Sequence, residues 1–176
     1  MVCGILAVIG DYRYPEIPDS IKDRGPDSCG EFIGDGAQLI QTRLQITGED
    51  TMQLPLECDD YVLLFNGEIY NYREINKELK EYDFKYDSDF ETILFSFKKW
   101  GEDFVKRLDG QYAILIWDKK NKKEYVYTDP FKVRSLYMQS FEGSVVYSSN
   151  ISSLPLIDFN STNITGFGNV SSAKIL

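Results

Sequence analysis

Tyr61-Val62-Leu63-Leu64-Phe65-Asn66-Gly67-Glu68-Ile69-Tyr70-Asn71 is an apolar run that passes without a break into polar residues. Its first five residues have the length and composition of a fully buried strand. A buried strand that ends in Asn-Gly presents polar groups at a rigid edge, where a ligand is held with little reordering. Taken alone, Asn66-Gly67 reads equally as a turn. After Asn71 the pattern becomes helical. A helix is expected over 72–82, with Ile75 and Leu79 on one face. Ser88-Asp89-Phe90-Glu91 has the form of a capping box and opens a second helix. The apolar face of that helix carries Phe90, Ile93, Leu94 and Phe97, Trp100 lies near its end, and Gly101 stops it. A short third helix is expected over 102–107. Strand signals then return at 111–117 and 124–128, joined by a turn, and at 135–139 and 144–147 around Glu142-Gly143.

On the other side of the run, Cys3-Gly4-Ile5-Leu6-Ala7-Val8-Ile9 reads as a buried strand near the start of the chain. A loop with Pro15 and Pro18 follows, then the polar turn Arg24-Gly25-Pro26-Asp27. Short strands are expected at 31–33 and 37–42 around the tight turn Gly34-Asp35-Gly36. From Asn160 the composition is Ser, Thr, Asn and Gly, the mark of a loosely packed tail. The order is β-rich, then helical, then β-rich, without an internal repeat. It suits an α+β fold of two antiparallel sheets between helical layers.

The 176 residues fit one domain, with 28 acidic against 19 basic side chains and a net charge of −9. That balance, without a basic run, argues against nucleic acid or an anionic membrane as partner. No signal peptide and no segment long enough to span a bilayer is present, and a reducing cytoplasm is the expected compartment. Cys3, Cys29 and Cys58 are too few and too irregular for a disulfide framework. Without a single His they make no zinc set either. The absence of His also removes every Ser-His-Asp and Cys-His mechanism, so a nucleophile here needs another base. Cys3 alone reads as buried packing.

Several short pieces in order change that reading. Cys3-Gly4-Ile5, Arg24-Gly25-Pro26-Asp27, Arg43-Leu44-Gln45-Ile46 and Asn66-Gly67-Glu68-Ile69-Tyr70-Asn71 are followed by Ser88-Asp89 with Glu91. Leu108-Asp109-Gly110, Asp129-Pro130-Phe131, Leu136-Tyr137 and Ser148-Ser149 with Leu154 complete the set. In this the chain resembles the class II (N-terminal nucleophile) glutamine amidotransferases, and within them the glutaminase domain of asparagine synthetase. The resemblance implies a four-layer αββα sandwich over residues 3–158, with 159–176 left as a polar tail, linker or docking segment. It implies hydrolysis of the L-glutamine side-chain amide to glutamate and ammonia through a cysteinyl thioester, with no cofactor and no metal.

By the same resemblance Cys3 is the nucleophile, and its own α-amine is the base, with an ordinary pKa of about 7.7–8.0. The Asn66 side chain and the Gly67 N–H form the oxyanion hole. Arg43 holds the substrate carboxylate, Asp89 its ammonium with Glu68 nearby, and the turn of Arg24, Gly25, Pro26 and Asp27 shapes the loop beside the nucleophile. Each has a plainer reading: Arg43 as a core-rim arginine, Asp89 as first-turn charge on a helix. Cys29 and Cys58 match no functional position.

Four departures from the family pattern bear on function. Met1 and Val2 precede Cys3, and in peptide linkage its nitrogen cannot serve as a base. Three explanations stand open: an artefactual extension, a removed two-residue pro-segment, or a weak or silent glutamine-binding or regulatory domain that partners a separate synthetase. An active glutaminase is expected if Met1 and Val2 are removed. The segment between Cys3 and Arg24 is short, so a family helix is trimmed or lost there. Asp23 stands where the family has His, and Asp129-Pro130-Phe131-Lys132-Val133-Arg134 replaces a stretch richer in glycine. Finally, no ATP-pyrophosphatase loop is present. The ammonia acceptor is then an ATP-dependent synthetase subunit or a missing C-terminal domain, unless the chain is a free-standing glutaminase.

Overall fold

The apolar run that begins at Tyr61 does not stop at Phe65. In the computed structural model, which describes residues 3–44, 52–155 and 164–165, it continues as one strand to Ile69. Asn66 and Gly67 therefore lie inside a strand, opposite Ala113 and Tyr112 of its neighbour, and form neither its end nor a turn. The reason is contact with that neighbour. A Cβ on Gly67 would stand 2.1 Å from the Gln111 carbonyl oxygen and 2.7 Å from the Tyr112 Cα, and φ is +156°. Glycine alone lets the two backbones pair through this point.

The described elements run β1 (Ile5–Ile9), α1 (Asp19–Lys22), β2 (Ser28–Gly34), β3 (Ala37–Arg43), β4 (Leu56–Cys58), β5 (Tyr61–Ile69), α2 (Tyr72–Asn76) and α3 (Asp89–Trp100). Then come a 3₁₀ segment (Gly101–Arg107), β6 (Gly110–Asp118), β7 (Lys123–Thr128), β8 (Tyr137–Phe141), β9 (Ser144–Ser148), a 3₁₀ turn (Ile151–Ser153) and β10 (Ile164–Thr165). Two antiparallel sheets result. One has the order β10-β8-β9-β1-β3-β2, the other β4-β5-β6-β7. The β2–β3 hairpin turns at Asp35 and Gly36, both at positive φ, as its Gly-Asp-Gly sequence calls for.

Side chains alternate along the strands and build three apolar layers. Leu63, Phe65, Ile69, Ile114 and Ile116 pack on Phe90, Ile93, Leu94 and Phe97 of α3. Val62, Leu64, Ala113, Leu115 and Trp117 meet Ile5, Ala7 and Leu39 between the sheets. Leu6, Val8, Ile40 and Val146 turn the other way, onto Ile21 of α1 and Leu154. Each such fully buried aliphatic side chain contributes about 1.5–3 kcal/mol relative to exposure. The fold is thus two antiparallel sheets between helical layers. The layer outside the six-stranded sheet is thin, because α1 is the one α-helix between β1 and Arg24 and has only four residues.

Three local expectations need correction. The helix expected over 72–82 ends at Asn76; beyond it, Tyr82 stacks on Phe95 at 4.8 Å and Phe84 meets the same ring edge-on at 5.0 Å, which draws the chain off the helix axis. Ser88 caps α3 by accepting from the Phe90 N–H at 3.2 Å, but Glu91 does not close the box. Its carboxylate instead accepts the N–H groups of Lys85 and Tyr86, at 3.1 and 2.8 Å. The strand expected at 31–33 is longer, Ser28–Gly34, because it pairs with β3 along its whole length. Of the tail, Ile164–Thr165 pairs with β8. Met1, Val2, Gln45 and Ile46 lie outside the described residues.

Candidate active site

Alternation along β5 sets the centre of the site. Val62 and Leu64 point between the sheets, so Asn66 does too, and it is wholly buried. There its Oδ1 accepts the backbone N–H of Cys3 at 3.0 Å. The Asn66 Nδ2 is buried and has no hydrogen-bond partner among the described residues. A buried donor left idle beside a cysteine is costly unless something else uses it.

The backbone of β5 supplies further donors. Strand β4 pairs with β5 only from Tyr61 to Leu63, so among the described residues no strand covers that edge beyond Leu63. On the open edge the Phe65 N–H donates to the Gln41 Oε1 at 3.2 Å, and the Ile69 N–H to the Asp89 Oδ2 at 3.1 Å. Backbone N–H groups two residues apart on a strand point the same way. The Gly67 N–H, midway between these two, therefore faces the same side.

Cys3 itself is 1% exposed. Burial pushes its thiol above the ordinary range; the Leu44 amide and the Arg43 guanidinium pull it down, and Asp89 pushes it up. Arg43, at the end of β3, and Asp89, at the first turn of α3, thus both act on Cys3, one from a sheet and one from a helix. Asp89 is pushed up to about 6, chiefly by burial and further by the neighbouring Glu68, against the stabilising N–H of Ile69. Glu68 itself is exposed. The turn at Arg24 lies flat against β3: a Cβ on Gly25 would stand 2.4 Å from the Arg43 nitrogen, and the Asp27 N–H donates to the Arg43 carbonyl at 3.1 Å. Arg24, half-buried, lies within electrostatic reach of Cys3, Arg134 and Tyr137, and desolvation lowers its proton affinity. Cys29 and Cys58 are free thiols on other parts of the molecule, on β2 and β4.

Cys3, the Arg24–Asp27 turn, Arg43, Asn66, Gly67, Glu68 and Asp89 thus fall in one region, drawn from both sheets and from α3. A buried thiol, an idle amide donor, an edge N–H, an arginine and a half-buried carboxylate are brought near one another around Cys3. A family model for the glutamine amidotransferase domain matches residues 2–165. The chain belongs to this family.

Among glutamine amidotransferase relatives, asparagine synthetase [glutamine-hydrolyzing] 1 of Bacillus subtilis is 34% identical over 167 residues, and the asparagine synthetase [glutamine-hydrolyzing] of Zea mays 34% over 164. Each match covers 87% of this chain but only 26% and 28% of the relative, so the chain spans about a quarter of their length. Among solved structures, the glutamine phosphoribosylpyrophosphate amidotransferase of B. subtilis superposes with a TM-score of 0.71 at 21% identity, over 86% of this chain and 42% of that one. The amidotransferase domain here is of the class II, N-terminal nucleophile type, and its two antiparallel sheets are that fold. No helix among the described residues is long and apolar enough to cross a membrane.

The sequence did not single out Gln41 and Thr42. Gln41 is wholly buried, and its amide bonds to Phe65; Thr42 accepts the Gly4 N–H at 3.0 Å and donates to the Ile21 carbonyl at 3.0 Å. The one available signal was a polar residue at 41 on the same strand face as Ala37 and Leu39.

Proposed function

We propose that the chain carries the glutaminase half-reaction of an amidotransferase, with L-glutamine as substrate. The observation that supports this best is the divided Asn66 amide, whose oxygen takes the Cys3 nitrogen while its buried Nδ2 stays unspent. In this reading the Cys3 α-amine, free when Cys3 is the first residue, takes the thiol proton as Sγ attacks the side-chain carbonyl carbon of glutamine. The carbonyl oxygen gains negative charge, and the Asn66 Nδ2 and Gly67 N–H stabilise it; loss of one such donor costs about 2.7–4 kcal/mol of barrier. The ammonium so formed gives its proton to the leaving nitrogen. Ammonia departs and the thioester remains. Water, deprotonated by the same amine, then releases glutamate and restores the thiol.

Arg43 grips the substrate α-carboxylate with its planar fork, a task lysine does less well. Asp89, ionised, receives the α-ammonium, with Glu68 adding negative potential. The Arg24-Gly25-Pro26-Asp27 turn, fixed on Arg43, shapes the wall beside the nucleophile. The catalytic unit takes in 3–158 together with the edge strand Ile164–Thr165, and the polar stretch that carries this strand serves as a link or docking segment. The ammonia acceptor is an ATP-dependent synthetase unit, in the same polypeptide or a separate one. A thiol nucleophile, with two further free cysteines elsewhere in the chain, suits a reducing cytoplasm.

A second reading rests on Met1 and Val2. While they are attached, the Cys3 nitrogen is an amide and cannot act as a base, and the domain binds glutamine without turning it over. The test compares glutamate release by a Cys3-first form, made by cleaving a removable leader, with the same protein carrying Met1 and Val2. Turnover by the first alone supports the leading reading. Glutamine binding by both with turnover by neither supports the second.

A further inference from the structure

Gln41 is the buried residue that joins the two halves of the site. It lies on β3 directly opposite Ile5 of β1 and projects between the sheets. Its Nε2 donates to the Phe65 carbonyl at 2.6 Å, and its Oε1 accepts the Phe65 N–H at 3.2 Å. These are backbone groups of β5 beyond Leu63, where its pairing with β4 stops at Leu56 and no other strand among the described residues covers the edge. Phe65 is covalently joined to Asn66, whose Oδ1 takes the Cys3 N–H at 3.0 Å. Cys3 is joined to Gly4, whose N–H donates to the Thr42 Oγ1 at 3.0 Å and whose carbonyl accepts the Thr42 N–H at 3.0 Å. Thr42 is joined to Gln41. The contacts form a closed ring: Cys3-Gly4, Thr42-Gln41, Phe65-Asn66 and back to Cys3.

Apolar packing between sheets fixes their separation but tolerates sliding, because it has no direction. Two antiparallel hydrogen bonds from one planar amide fix both distance and register. Gln41 is the one side chain in the ring that spans the gap and is neither the nucleophile nor its oxyanion partner. We propose that Gln41 is a positioning residue that sets the height of Asn66 and Gly67 against Cys3 across the inter-sheet gap. This rests on the glutaminase reading above. Displacing the oxyanion donors by about 1 Å costs up to about a hundredfold in rate, while Arg43 and Asp89 are held by other contacts. The loss therefore falls on kcat and leaves KM for glutamine near its original value.

The test uses Gln41→Met, which keeps the length of the side chain and removes both bonds. In the form that hydrolyses glutamine, kcat is expected to fall about ten- to a hundredfold with KM changed less than about threefold. Titration of active sites with a diazoketone glutamine analogue corrects for misfolded protein. Independently of turnover, the Asn66 side-chain amide signals of ¹⁵N-labelled full chain, assigned with Asn66→Asp, are expected to move in Q41M. An unmoved Asn66 amide, an unchanged kcat, or a kcat loss accounted for by inactive protein overturns the proposal. If the wild type shows no turnover, the glutaminase reading fails and the amide signals alone decide the placement. Should Q41M not fold, Gln41→Glu, which still accepts the Phe65 N–H, takes its place with the same expected directions. Failure of both to fold makes Gln41 a stability residue and overturns the proposal.

Discussion

The two ends of the Asn66 amide are chemically distinct: the Oδ1 accepts the Cys3 N–H, and the Nδ2 is an unspent donor. Asn66→Ala removes the donor and the acceptor together, and kcat is expected to drop about 10²–10³-fold. Asn66→Asp keeps an acceptor for the Cys3 nitrogen but loses the donor, so it is expected to show a similar loss while the fold persists. Initial-rate kinetics on the Cys3-first form check both. Asp89 sets a pH dependence. Its folded pKa of about 6 lies above the ordinary value of about 3.9, so the neutral form suits the unliganded fold. Its contribution to stability is therefore complete below about pH 3.9 and is lost as pH rises through about 6. Asp89→Asn, which keeps an oxygen for the Ile69 N–H, is expected to raise the melting temperature of the free protein at pH 7 and to abolish glutamine binding. For the wild type, glutamine affinity is expected to fall about tenfold per pH unit below about 6, because the substrate ammonium needs the carboxylate. Calorimetric titration across pH 5–8 measures this; a flat profile would remove Asp89 from the ammonium site. Lys132 occupies φ +53°, where glycine is at ease. Lys132→Gly is expected to stabilise the fold by up to about 1 kcal/mol, the relief being partly offset by the freer unfolded chain.

At the scale of elements, short pieces leave openings that the site uses. Three-residue β4 covers only the first part of β5, and the open edge beyond Leu63 offers N–H groups to Gln41, to the centre of the site and to Asp89. The start of α3 is held in the same way. Ser88 caps it, Glu91 fastens the preceding loop through two backbone N–H groups, and Asp89 stands between them. Ser88→Ala is expected to cost about 1 kcal/mol by loss of the cap, and to raise KM for glutamine more than it lowers kcat. Urea denaturation and steady-state kinetics on one preparation separate the two effects. Another element is built around Asp129, whose buried carboxylate accepts the N–H groups of Tyr112, Phe131, Val133 and Arg134. That rigid turn holds Phe131 90% exposed.

For the whole molecule, the site exists because two sheets meet. Cys3, Gln41 and Arg43 come from one, Asn66 and Gly67 from the other, and Asp89 from the helix packed behind the second. The inter-sheet core around Leu64, Leu115 and Trp117 thus holds the candidate site together as well as stabilising the fold. Leu64→Ala is expected to cost about 2–5 kcal/mol, readable as a lower urea midpoint. What the sequence by itself determined was periodicity and chemistry: the buried strands, the capped α3, the Gly34-Asp35-Gly36 hairpin, and a family pattern with Cys3, Arg43, Asn66 and Asp89 in order. Those follow from neighbours along the chain. It misjudged the end of β5, because strand pairing with Gln111 and Tyr112, and not local propensity, carries the chain through Asn66-Gly67. It overran α2, because the rings of Tyr82 and Phe84 bind to Phe95, a partner distant in sequence. And it passed over Gln41, since a glutamine in a strand has no meaning until the other sheet lies against it. Only the tertiary structure decided that, because the groups that Gln41 satisfies belong to a backbone edge 24 residues away in the sequence.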